Sequence, residues 1–167
     1  MLTEKKIKLL EEWSEKQIDE IIYDSDRNSD DNTCFSSIVL HQRNLLFICI
    51  DQDDMIFGGY YEGEITQLDS PLREEGKKDF VFTFNENGLV DSVKRYDLKG
   101  DYGIRVYSNS VRLFTFCNAF GIAKAATDKS FCFNGIGDYY EGATSISLNN
   151  KPDRKFHVNR VIVIKMK

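Results

Sequence analysis

Two short segments of the chain are apolar at every position, Leu45-Leu46-Phe47-Ile48-Cys49-Ile50 and Val161-Ile162-Val163-Ile164. Runs this short, with no polar face to offer water, read as strands covered on both sides. A third segment, Asp79-Phe80-Val81-Phe82-Thr83-Phe84, sets Phe80, Phe82 and Phe84 on one face of a strand, because side chains alternate along it. Further strands are expected at Gln17–Tyr23, Met55–Tyr61, Leu89–Tyr96, Ile104–Tyr107, Arg112–Phe116, Gly121–Ala126, Lys129–Phe133 and Phe156–Met166. Many short strands with turns between them predict a mostly β (α+β) chain. The expected fold is a two-sheet antiparallel β-sandwich with an N-terminal helix and one or two short helices. Phe47, Phe80, Phe82, Phe84 and Ile162 are its expected core.

The connections carry their own signals. Asp51-Gln52-Asp53-Asp54 is a polar turn that closes a hairpin, and Asn87-Gly88 is a strong turn dipeptide. The polar stretches Asp24–Asn32 and Glu62–Lys78, the second with Pro71 and Gly76, read as surface loops, and Phe35–Leu40 as a helical turn. At the start of the chain Thr3 can cap a helix with Glu4 in its first turn. Ile7, Leu10 and Trp13 then form one apolar stripe that brings the Trp13 edge onto the main body.

With 41% apolar and 13% aromatic residues, the 167 residues can fill one core, so residues 1–167 are read as a single domain. The net charge of −5 and scattered Lys and Arg argue against nucleic acid and against an anionic membrane surface. The beginning of the chain lacks the apolar core of a secretory signal, and no apolar run approaches the roughly 20 residues that span a bilayer. A cytoplasmic location without membrane insertion is therefore expected.

That compartment argues against disulfides among Cys34, Cys49, Cys117 and Cys132, none of which stand in C-x-x-C spacing. Cys49, Cys117 and Cys132 sit in apolar runs and read as buried thiols. Cys34 ends a polar loop and is the candidate redox-sensitive residue. Its neighbours Asp30 and Asp31 are the wrong company for a peroxide-reactive thiolate.

Other motifs fall short of known chemistry. Asp24-Ser25-Asp26-Arg27-Asn28 begins like a calcium loop, but Ser29 and Phe35 stand where Gly and Glu are needed. Gly135-Ile136-Gly137-Asp138 has Tyr140 in place of the third glycine of a phosphate loop, and its acidic neighbours repel phosphate. His41 and His157 lie in no nucleophile motif, and no zinc-ligand spacing occurs. Glu62, Glu64, Asp69, Asp79 and Asp91 supply carboxylates whose spacing marks none of them. Gly58-Gly59 inside a strand reads as a bulge or a close approach of another backbone. No catalytic, cofactor-binding or metal-binding residue is assigned.

Four stretches share an order with a known family: Trp13-Ser14 followed by Ile21-Ile22-Tyr23-Asp24-Ser25-Asp26; Leu45–Ile50 followed by Phe57-Gly58-Gly59-Tyr60; Phe80-Val81-Phe82-Thr83-Phe84; and Gly142-Ala143-Thr144-Ser145 followed by Asn149-Asn150, Phe156 and Val161–Ile164. In this order the chain resembles the TLDc family, found in oxidation-resistance proteins and some relatives of nuclear-receptor coactivators. It is most similar to the short stand-alone members of single-celled eukaryotes. The resemblance implies a two-sheet sandwich with protein-binding function in oxidative-stress protection. It also implies, as a partner, a subunit of the vacuolar proton-pumping ATPase. Trp13, Phe57, Gly58, Gly59, Gly142 and Ser145 carry the family motifs and are expected to be structural. The chain departs from the family at Ile146-Ser147-Leu148, where a Cys and a Thr-Phe are usual, and at Ile162 and Ile164, where a Glu and a Trp are usual. The alternative reading is a weak hydrolase or peroxide-consuming enzyme whose site the sequence does not display.

Overall fold

The computed structural model describes residues 2–85, 93–151 and 155–167. The expected Asn87-Gly88 turn, Asp91 and Pro152 lie outside the described residues.

Helix α1 (Glu4–Ser14) starts where expected: Thr3 is its cap, and its hydroxyl accepts the N–H of Lys6. It ends at Glu15, whose left-handed backbone turns its N–H back onto the carbonyls of Glu11 and Glu12. Strand β1 (Ile18–Asp24) follows, then α2 (Asn32–Val39). The expected turn at Phe35–Leu40 begins earlier because Asp31 caps it, accepting the N–H of Cys34 at 2.8 Å. Cys34 thus belongs to the first turn of a helix rather than to a loop.

The remaining strands are β2 (Leu45–Asp51), β3 (Ile56–Tyr61), β4 (Phe80–Thr83), β5 (Lys94–Asp97), β6 (Ile104–Val106), β7 (Arg112–Phe116), β8 (Phe120–Ala123), β9 (Phe131–Cys132) and β10 (Val158–Met166). A short 3-10 turn, Asn134–Asp138, lies between β9 and β10. The strands pair antiparallel into a large sheet in the order β1-β10-β2-β3-β4-β5 and a small sheet in the order β6-β7-β8-β9. The mostly β sandwich with two helices expected from the sequence is the observed fold.

The two wholly apolar runs are neighbours: β10 lies between β1 and β2, with Val163 opposite Phe47 and Ile162 opposite Ile48. Both faces of this sheet are covered. On the inner face the sheets share an aromatic core, where Phe47 meets Phe114 at 4.8 Å and Phe116 at 5.4 Å between ring centres. Phe57 meets Phe120 at 5.2 Å on the same side. On the outer face Leu46, Ile48, Tyr60, Phe80, Phe82, Phe84, Ile162, Ile164 and Met166 form a second cluster with Leu10 of α1. Each large side chain removed from water in these layers contributes about 1.5–3 kcal/mol.

The structure refines two expectations. Phe47, Phe80, Phe82, Phe84 and Ile162 are all buried, but only Phe47 lies between the sheets; the other four lie beneath α1. Period-2 alternation identifies an apolar face without saying which layer covers it. Segment 62–78 is also more than a surface loop. Gly63, Ile65 and Leu72 are buried, and the segment runs along the β6 edge, with Leu72 N–H on the carbonyl of Ile104 at 2.7 Å and Asp69 N–H on that of Val106 at 2.8 Å. A sheet edge covered in this way offers no free ladder to another chain.

Candidate interaction groove

The wrapped segment makes one wall of an open groove of about 710 Å³. Gln67, Pro71, Leu72, Arg73, Glu75 and Gly76 line it from that side, and Asp101 and Tyr102 from the turn that leads into β6. Leu72 is buried and held in place by its backbone pairing with Ile104; Gly103 in turn donates its N–H to the Leu72 carbonyl at 2.8 Å. Arg73 spans the groove, its guanidinium donating to the Gly100 carbonyl. Tyr102 stands at the lip, 49% exposed. On the other side of the same turn Tyr139, also exposed, packs against Gly100, whose N–H bonds its carbonyl. The lining mixes one cation with two anions and offers aromatic, apolar and hydrogen-bonding groups together.

A buried polar group lies where the wrapped segment ends, outside the groove's own lining. Asp79, at the head of β4, is 5% exposed. Its Oδ1 accepts the N–H of Glu62 at 3.0 Å, while Oδ2 is buried without a hydrogen-bond partner. The hydroxyl of Tyr140 is likewise buried and unpartnered. Burial pushes Asp79 up to about 6 and raises the hydroxyls of Tyr61 and Tyr140 well above the usual phenol range.

The motif residues lie apart from this groove. Trp13 sits half-buried on the outer cluster, stacked on Phe84 at 5.9 Å and against Phe80 and Phe82 at 6.3 Å. Phe57 is fully buried between the sheets. Gly58 and Gly59 sit in unbroken register between β2 and β4, so they mark close approach and not a bulge. A Cβ on Gly58 would meet the Phe47 carbonyl oxygen at 1.9 Å, and one on Gly59 would meet the Phe116 ring at 2.4 Å. Gly142 has φ +78, a conformation that favours glycine, and Ser145 lies half-buried in the turn that follows.

The thiols are free. Cys49 and Cys132 are buried and Cys117 and Cys34 half-buried; burial raises Cys49 and Cys132 well above the ordinary thiol range and Cys117 to about 11. His41 is exposed on the turn after α2, and His157 is half-buried just before β10. Among the described residues no group of three His, Cys, Asp or Glu side chains is placed to hold a metal ion. Asp24, the first residue of the calcium-like stretch, is taken up instead by Arg160, with contacts of 3.0 and 2.7 Å. Among the described residues no helix is long and apolar enough to cross a membrane.

Three groups escaped the sequence reading. Asp24–Arg160 joins residues far apart in the chain. Asp51 is fully buried and takes Lys151 at 2.6 Å and Asn149 at 3.3 Å, while Cys132 donates to Asn149 at 3.3 Å. Tyr102 carried no signal, since a lone Tyr in a polar turn is ordinary. No known family model matches the chain, and no curated protein matches it.

Proposed function

We propose that the chain is a non-enzymatic interaction module of TLDc type and that it meets its partner through the groove beside Tyr102. The carrying observation is Tyr102 itself, an exposed aromatic at the lip of an open groove floored by Leu72. Tyrosine supplies a large apolar body with a polar tip at low entropic cost, which is why such residues anchor protein interfaces. The mixed charges of Arg73, Glu75 and Asp101 suit a protein surface better than a polyanion. The motif order supports the TLDc reading, and with it a role in oxidative-stress protection in the cytoplasm and a vacuolar proton-pumping ATPase subunit as partner.

The test is a titration of the purified chain against the purified peripheral sector of that pump. Saturable binding is expected, weakened about tenfold or more by Tyr102→Ala, since interface anchors contribute on the order of 2 kcal/mol. Val111→Ala changes an exposed residue at the far end of the β6–β7 hairpin and should leave binding intact. No saturable binding, or equal effects of the two variants, would overturn the reading.

A further inference from the structure

Asp79 joins three parts of the molecule. It ends the wrapped segment, whose Glu62 N–H it holds. Its Oδ2 lies against Gly103, where a Cβ would come within 2.9 Å of it, and the Tyr61 ring of β3 flanks the same spot at 3.0 Å. Its own carbonyl accepts the N–H of Leu98 at 3.0 Å, at the base of the turn that carries Tyr102. The carboxyl therefore sits on the seam between the end of the wrapped segment and Gly103, the residue next to Tyr102 of the groove.

The charged and titratable groups that act on this seam come from every neighbouring element. Burial disfavours a charge on Asp79, as do the carboxylates of Glu62 and Glu74, whereas the Glu62 N–H and Arg73 favour it. Tyr60 and Tyr61 of β3, and Tyr140 after the 3-10 turn, feel the Asp79 charge; Cys117 acts on Tyr61 and Tyr140. Lys77, Lys78, Glu15 and, from β5, Arg95 and Asp97 line the pocket that Asp79 itself borders. Each of these cations has its own carboxylate, Lys77 with Glu74, Lys78 with Glu15 and Arg95 with Asp97, and Arg73 donates to the Gly100 carbonyl. An ionised carboxylate here has one oxygen without a donor, in a place closed to water, and such a group is costly. A neutral carboxyl in the same place costs much less than the ion.

We propose that Asp79 is a proton-operated latch on the groove. Neutral, it keeps segment 62–79 seated against Gly103 and the β6 edge. Ionised, it draws in water and the Arg73 guanidinium, which leaves Gly100, and the wall of the groove loosens. The folded carboxyl holds its proton up to about pH 6, whereas an unfolded Asp releases it near about pH 4. The seated state is thus most favoured in acid and is given up as the pH rises through about 6. The latch belongs to the free chain and does not depend on any protein occupying the groove.

Two NMR measurements on the full chain test this. The side-chain carboxyl carbon of Asp79 should titrate near pH 6. Amide-exchange protection at Leu72 and Gly103, corrected for intrinsic rates, should fall about tenfold between pH 5 and 7, one pK unit corresponding to a factor of ten. Protection in β2 should hold throughout. In Asp79→Asn, protection at Leu72 and Gly103 should no longer depend on pH. If that variant fails to fold, Arg73→Gln replaces it: with the cation removed, both the carboxyl titration and the loosening should move to higher pH. A carboxyl that titrates near 4, or a fall in protection that survives Asp79→Asn, would overturn the latch. Failure to bind the pump would leave all these readouts unchanged.

Discussion

Gly58 and Gly59 show how a single residue is dictated from outside its own strand. The sequence offers a bulge or a close approach, and only the fold decides, because the walls are Phe47 and Phe82 on one side and Phe116 of the opposite sheet on the other. Gly59→Ala drives a methyl group into the Phe116 ring, and overpacking of this kind costs about 1–3 kcal/mol. Urea unfolding should show a lower midpoint with the slope unchanged. The cysteines are more legible: the apolar runs around Cys49 and Cys132 correctly imply burial, whereas Cys117, in a similar run, is only half-buried. Burial disfavours the thiolate, so iodoacetamide at neutral pH should label Cys34 first and reach Cys49 and Cys132 only after denaturation. Labelling of Cys132 in the native chain would show that the inter-sheet core opens. Asp79 was one of five unremarkable carboxylates in the sequence. What distinguishes it is Gly103, and no local pattern reports a contact across that distance.

At the scale of elements, alternation places Phe80, Phe82 and Phe84 on one buried face but does not say which layer covers it. The signal that bears on this is the both-sided burial of Leu45–Ile50 and Val161–Ile164: a sheet whose central strands have no polar face needs a cover on each side, and α1 is the available second cover. Trp13 is the part of that cover that touches all three phenylalanines. It is only half-buried, so Trp13→Ala should cost about 2–3 kcal/mol, short of the 3–5 kcal/mol typical of a fully buried aromatic such as Phe82. Thermal melts of Trp13→Ala and Phe82→Ala should therefore both shift downward, the second further. An unchanged melt for Trp13→Ala would show that α1 can leave the sheet at no cost. Segment 62–78 is irregular, as expected of a loop, but its course along β6 is set by backbone groups that composition does not report.

Across the whole molecule the two ends of the chain are stitched together. β1 and β10 are neighbours, and Gln17 and Lys167 exchange backbone hydrogen bonds at 2.9 and 2.8 Å. At the other end of that strand pair Arg160 holds Asp24 by two hydrogen bonds, and Asp24 is 3% exposed. The Arg160 guanidinium, by its hydrogen bonds, keeps the Asp24 carboxyl below the usual carboxylate range. A carboxyl depressed by folding stabilises the fold at pH above its unfolded value, and that contribution is lost as the pH falls through the folded one. Asp79 has the opposite sign, since its folded carboxyl is raised and favours the fold in acid. The two groups therefore make separable contributions to one pH profile. Arg160→Ala leaves Asp24 buried with Arg27 at 3.9 Å as its remaining cation. Because the Arg160 side chain is 37% exposed, solvent screens the pair, and the loss at pH 7 should be about 1–2 kcal/mol. Urea midpoints at pH 7 and pH 3 check the cause. The gap between wild type and Arg160→Ala should narrow at pH 3, below the value of an unfolded Asp, where the contribution of the lowered carboxyl is being lost. A gap of the same size at both values would mean that Arg160 stabilises β1 against β10 by packing its aliphatic stem, with no contribution from its charge.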